Sequence, residues 1–191
     1  VYFGNPQGEF SGVERVPDGS IRIGISGRNS PEDDNFYTYA TDEEGNRGKQ
    51  LSAVPGYDLL TRPWYVTAAN AGTAVWGDIY VWAAPYPNLA LPAALPIYDD
   101  DEFVGVFAVD ISLLDISDFL RTLDIGQTGQ TFIVDSYGQL VATSVDEQPF
   151  SQAGDTPERL YATASQNDLV SATATYLLSE FGSFDALDTR I

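Results

Sequence analysis

Apolar and polar residues alternate in two short runs, 10–16 and 20–25, separated by Pro17-Asp18-Gly19. A turn triplet between alternating runs predicts a β-hairpin. Residues 27–35 are polar and read as a loop. Phe36-Tyr37-Thr38-Tyr39-Ala40 is aromatic and β-branched, which predicts a strand ending at the charged turn 42–46. Thr61 as N-cap and Pro63 in the first turn predict a short helix over 62–69, closed by Gly72. Three β-rich runs follow at 75–83, 90–98 and 103–110. Pro92 and Pro96 make the middle one an edge or bulged strand, and residues 99–102 the turn after it.

Between Ser112 and Leu123 the period changes. Leu113, Ile116, Leu120 and Leu123, with Phe119 beside them, form one apolar stripe, and Asp115 and Asp118 face away, as in an amphipathic helix ended by Gly126. Residues 131–135 and 139–142, about the turn Ser136-Tyr137-Gly138, predict a second hairpin. A helix over 157–181 starts near Thr156 and closes at Gly182, and 183–191 reads as the start of a strand. Strands that follow one another through short turns favour antiparallel sheets flanked by helices, an α+β fold. The natural division is a strand-rich block with its helix, 1–123, and a second block, 124–191, with too few strands to close its own core.

Composition narrows the chemistry. The chain has 191 residues, 43% hydrophobic and 13% aromatic, enough for a packed core. No run of eighteen apolar residues is present, nor a signal-peptide pattern at Val1. The abrupt start at Val1 and stop at Ile191 read as a piece of something longer. Without Cys or His, disulfides, thiolate or imidazole metal sites and serine–histidine catalysis are excluded. Carboxylates, Tyr, Arg, Ser/Thr and the single lysine Lys49 remain. Nine bases against 28 acids give a formal charge of −19, which argues against binding to nucleic acid or anionic lipid and for a solvated acidic surface. Residues 42–46 lack the ligand spacing of an EF-hand, and 99–102 is a solvent-facing acidic turn, so no metal or cofactor is expected.

Against this background the segment from Tyr57 to Tyr65 stands out, with a guanidinium, an indole and two phenols in nine residues. Arg62 pairs a carboxylate bidentately in a way Lys does not, at a helix start whose dipole favours an anion. Trp64 offers one N–H donor and an apolar wall, and Tyr phenols donate or accept. Asp110 supplies an opposite charge. Each has a plainer role: Arg62 in an ion pair with Asp58 or Asp110, Trp64 and Tyr65 in the core, Asp110 as a cap for the helix near Ser112. Trp76, Asp78 and Trp82 alternate along a strand, so some could line the same cavity, but they are assigned first to packing, and Asp135 to its turn.

Four stretches resemble the double Cache family of sensor domains: Tyr57 to Tyr65 with its Arg62-Pro63-Trp64-Tyr65 core; Ala93-Ala94-Leu95-Pro96-Ile97-Tyr98-Asp99; Phe103 to Leu113 with Val109-Asp110-Ile111-Ser112-Leu113; and Gly129 to Asp135 through Gly138 to Ala142. They occur in the family's order. The resemblance implies two tandem PAS-like Cache modules on a long N-terminal helix, outside the cytoplasmic membrane of a bacterial receptor, homodimeric when complete. The ligand-binding, membrane-distal module would be 1–123 and the membrane-proximal one 124–191. Here the long helix is missing and the second module breaks off before its last strands. In the amino-acid- and amine-binding subset, the positions matching Arg62 and Trp64 hold the ligand carboxylate, with Tyr57 beside them. Asp110 accepts the ammonium, and Tyr65 and Tyr80 are further hydrogen-bonding phenols. A non-catalytic sensor of a small zwitterion is therefore expected. The competing readings are a carboxylate-based, glycosidase-like hydrolase and an acidic protein-interaction module.

Overall fold

The alternating segments form strands, and the fold they build is α+β with an antiparallel sheet. The computed structural model describes residues 1–190 apart from 17, 29, 32, 33, 83–87, 127 and 152–156, and only the backbone of 188–190. Expectations touching Pro17, Ala83, Thr156 and Ile191 lie outside the described residues. Backbone contacts divide the chain into two compact units, Val1–Ile111 and Ser112–Ile191.

The first unit holds β1 (Tyr2–Gly4), β2 (Phe10–Arg15), β3 (Ile21–Ser26), β4 (Asn35–Thr41), β5 (Arg47–Pro55), α1 (Pro63–Ala71), β6 (Val75–Trp76), β7 (Tyr80–Val81), β8 (Leu89–Asp99) and β9 (Glu102–Ser112). They form one sheet in the order β5-β4-β3-β2-β1-β9-β8-β6, with β7 also on β8. The β2/β3 hairpin forms as expected, with Phe10 opposite Ser26 and Arg15 opposite Ile21.

β1 and β5 have no counterpart among the predicted strands. β1 is three residues long, and the first five residues of β5 are all exposed, so neither carries a period-two signal. The run 75–83 is broken into β6 and β7. β8, expected as an edge or bulged strand, is an inner strand, and Pro92 fits there for a local reason. β6 pairs Val75 with Ala94 and Trp76 with Ala93, and β7 pairs Tyr80 with Ala90. Pro92 therefore stands opposite the break, where its carbonyl accepts from Gly77 N and no N–H is missed.

The core beneath the sheet is Tyr2, Leu59, Trp64, Tyr65, Ala68, Ala94, Val106 and Ala108. Gly4 makes room for it: a Cβ there would lie 2.8 Å from Leu59 and 2.9 Å from Trp64. Gly72 ends α1 in the left-handed conformation (φ 66°), its N–H donating to Ala68 O.

The second unit holds α2 (Leu113–Thr122), β10 (Phe132–Val134), β11 (Leu140–Thr143), β12 (Phe150–Ser151), β13 (Glu158–Arg159) and α3 (Asp168–Phe181). Ser112 caps α2, its hydroxyl accepting from Leu114 N. The helix packs on β11 and buries Leu113, Ser117 and Leu120, while Phe119 is 60% exposed. Ser117 Oγ donates to Leu113 O and accepts from Thr143 N.

The helix expected over 157–181 starts eleven residues later. Segment 158–162 is held by sheet-like bonds, with Leu140 N donating to Leu160 O and Leu160 N to Pro149 O. Asn167 then caps α3 by accepting from Leu169 N and Val170 N. In place of a final strand, Asp185–Arg190 is a 3-10 turn, because Phe184 packs inward with Leu140, Ala162, Val170 and Ala174. Among the described residues no helix is long and apolar enough to cross a membrane.

Candidate functional site

Arg62 reaches its position through a local chain of caps. Asp58 Oδ1 accepts from Leu60 N at 2.9 Å and starts the 3-10 turn Leu59–Thr61. Thr61, expected as the N-cap of α1, instead donates its hydroxyl to Asp58 O at 2.9 Å. The cap position falls to Arg62, in extended geometry ahead of Pro63, with a side chain that makes no capping bond. That side chain donates from Nη2 to Val81 O at 2.9 Å. Its guanidinium carbon lies 5.6 Å from the Tyr57 ring centre and 5.2 Å from that of Tyr80, within cation–π range of both. Nε is buried without a hydrogen-bond partner. Among the described residues Arg62 makes no ion pair, so neither Asp58 nor Asp110 takes the structural role allowed for it.

Asp110 projects from β9 and is reached from two directions. The register Tyr2↔Ala108 sets Tyr2 diagonal to Asp110 on the neighbouring strand, and its hydroxyl donates to Oδ1 at 2.7 Å. Tyr80 Oη donates to Oδ2 at 2.5 Å, and Trp82 Nε1 to the same oxygen at 2.7 Å. The two phenol oxygens stand 3.4 Å apart. Asp110 thus does not cap α2, which is left to Ser112.

Tyr57, Arg62, Tyr80 and Asp110 are therefore brought together, with Tyr80 spanning the charges by its ring toward Arg62 and its hydroxyl toward Asp110. Trp64 and Tyr65 are packed away. Trp64 is 1% exposed, with the Tyr2 ring centre 4.7 Å off in an edge-on contact, and Tyr65 lies between Trp64 and Phe103. Tyr2 is the residue sequence reasoning missed at Asp110, and Trp82 is one it assigned first to packing. Tyr2 sits on a strand too short to carry a pattern. Trp82 lies two residues beyond Tyr80, a spacing that places both on one side of an extended segment, and this was the available signal. Trp76 and Asp78, by contrast, are exposed.

The electrostatics follow from burial. Desolvation raises the Asp110 pKa above the ordinary carboxylate value, and the donors Tyr80, Tyr2 and Trp82 pull it partly back. Burial drives the Tyr2 and Tyr80 phenols far upward, followed at Tyr2 by the neighbouring Tyr80 and then Asp110, and at Tyr80 by the Asp110 charge. Burial raises Tyr57 too, with Arg62 opposing. The phenols are thus protonated donors at any physiological pH. The site offers a cationic fork at one end and a hydrogen-bonded carboxylate at the other, between aromatic walls.

Elsewhere, Asp135 serves its turn by accepting from Tyr137 N and Gln139 N, and it also pairs with Arg159. Among the described residues no cluster of acids has the makings of a metal site.

Comparison with known proteins identifies the family. Methyl-accepting chemotaxis protein McpA of Pseudomonas putida is 31% identical over 117 residues, 59% of this chain and 18% of McpA. Methyl-accepting chemotaxis protein PctB of Pseudomonas aeruginosa is 28% identical over 122 residues, 63% of this chain and 19% of PctB. The chain thus spans less than a fifth of the curated relatives it matches. Among solved structures, the ligand-binding domain of PctB in complex with L-Arg gives a TM-score of 0.45 at 24% identity, covering 73% of this chain and 44% of that one. The ligand-binding domain of chemoreceptor CtaA of Pseudomonas fluorescens in complex with L-valine gives 0.44 at 20%, covering 74% and 47%. The family model described as Cache domain matches residues 21–179, and the chain belongs to the double Cache family of sensor domains.

Proposed function

We propose that this chain is the ligand-sensing part of a bacterial transmembrane receptor and that its first unit binds a small zwitterion, an amino acid or a related amine. The observation that carries the reading is Arg62 and Asp110 joined through Tyr80, with Arg62 Nε buried and unpartnered. A ligand carboxylate satisfies the guanidinium, and a ligand ammonium neutralises the buried Asp110 carboxylate. Tyr57 and Tyr80 set their rings beside the guanidinium. The chemotaxis relatives support a signalling role. In this reading the first unit is the membrane-distal module, the remainder is the membrane-proximal one, both lie outside the cytoplasmic membrane, and the full receptor is a homodimer. A hydrolase would need a second carboxylate facing Asp110, whereas the groups bonded to Asp110 are two phenols and an indole.

Thermal-shift screening against the twenty α-amino acids and a set of primary amines tests this, with Arg62→Ala and Asp110→Ala as controls. At least one amino acid should raise the melting temperature, and both variants should lose the effect. No response to any amino acid would sink the zwitterion reading, and undiminished responses in both variants would sink the site.

A further inference from the structure

Asp110 has more donors than a structural carboxylate on a strand needs. An ionised carboxylate offers about four acceptor positions. Three are filled, one on Oδ1 by Tyr2 and two on Oδ2 by Tyr80 and Trp82. The donors come from β1, the first residue of β7 and the residue after β7. The indole N–H is donor only, so it has no use except toward an acceptor. Burying a carboxylate is unfavourable unless it is hydrogen-bonded, and bonds to a charged acceptor are about twice as strong as neutral ones.

We propose that Tyr2 and Trp82 are positioning residues of this site. With Tyr80 they hold Asp110 as a fixed anion with one acceptor direction open, on Oδ1, and so make the site select a cationic ligand end over a neutral one. This rests on the zwitterion reading for its ligand, and on the three-donor geometry alone for the state of Asp110. Without Trp82 or Tyr2 the carboxylate keeps its burial and loses a compensating donor. It then takes up a proton more readily, and a protonated Asp110 no longer discriminates ammonium from hydroxyl. The titratable groups around it are Tyr2, Tyr57 and Tyr80, whose phenols stay protonated, and the Val1 amino group, so variants are compared on an identical N-terminus.

The test uses Trp82→Phe and Tyr2→Phe, which keep the rings and remove one donor each. Carbon-13 titration of the Asp110 carboxyl in the ligand-free chain, assigned with Asp110→Asn, should show its midpoint moving upward in each variant. A pure packing role would leave the midpoint in place. In parallel, the affinity for the amino acid that binds the wild type best should be lost on acidification at a higher pH in each variant than in the wild type, following the raised midpoint of Asp110. Selectivity over the matching 2-hydroxy acid should narrow. An unmoved midpoint in both variants overturns the proposal even if binding persists. If the wild type binds no amino acid, the zwitterion reading falls, and the ligand-free titration still decides whether Tyr2 and Trp82 govern Asp110. The two substitutions lie on different segments, Tyr2 on β1 and Trp82 just after β7, so loss of folding in one leaves the other to decide.

Discussion

Arg62 rests its guanidinium 5.2 Å from the ring centre of Tyr80, the residue whose hydroxyl is bonded to Asp110 at 2.5 Å. One side chain therefore separates the cation from the anion and touches both. Tyr80 keeps them apart while its ring and hydroxyl partly compensate each charge, so both remain available.

Arg62→Lys should separate geometry from charge. Lysine keeps the positive charge but loses the planar fork and its ring stacking. We expect amino-acid affinity to fall at least tenfold by calorimetry, with the melting temperature of the free chain little changed. Equal affinity in the two proteins would mean the ligand carboxylate lies elsewhere.

The raised pKa of Asp110 fixes the sign of a pH effect. The folded state binds this proton more readily than the unfolded chain. Its contribution to stability is therefore greatest below the unfolded carboxylate range and declines as pH rises through the elevated folded pKa. Asp110→Asn should remove that decline in urea titrations run at several pH values, and at neutral pH it should be no less stable than wild type. Ligand affinity should run oppositely, lost as acidification protonates Asp110. A decline of stability that persists in Asp110→Asn would assign the effect to another group.

Trp64 is 1% exposed against Tyr2 and Phe10. Trp64→Ala should cost about 3–5 kcal/mol, measured by chemical denaturation. The loss should appear in the absence of any ligand, since the role argued here is packing. A change below ~1 kcal/mol would show that the cavity collapses freely or that Trp64 is not core.

Two ion pairs of the second unit should behave differently. Arg159 is mostly buried and donates to Asp135, to Gln139 Oε1 and to the carbonyls of Gln139 and Leu140. Arg159→Ala strands these acceptors and should cost about 3 kcal/mol. Arg121→Ala breaks a solvated pair with Asp118 one helical turn away and should cost less than ~1 kcal/mol. Equal costs would contradict the burial argument.

Legibility in the sequence followed the length of the pattern. The β2/β3 and β10/β11 hairpins, β4, β9 and α2 each carry enough alternation or helical period to be read directly. β1 is too short, β5 has no buried face over its first half, and the start of α3 is set by Asn167 after a stretch that tertiary bonds keep extended. Around Arg62, the family resemblance carried over Tyr57, Tyr80 and Asp110, which the fold brings near one another. It also pointed to Trp64 and Tyr65, which the fold uses as core. An aromatic that lines a pocket and one that fills a core look alike in one dimension. Tyr2 was invisible because its relation to Asp110 is created by strand pairing across more than a hundred residues.

That pairing has a consequence for how the sheet opens. Among the described residues β1 is the sole strand linking the β2–β5 meander to the β9-β8 half, and it does so through three residues. Fraying it would divide the sheet and withdraw one donor from Asp110 in the same event, without unfolding either half. Amide exchange at Phe3 and Gly4 should therefore follow the occupancy of the Asp110 end, slowing when a bound ammonium draws the carboxylate and its phenols tight. The shortest central strand would then be a gauge of ligation, and its opening a partial unfolding step to which binding is thermodynamically linked.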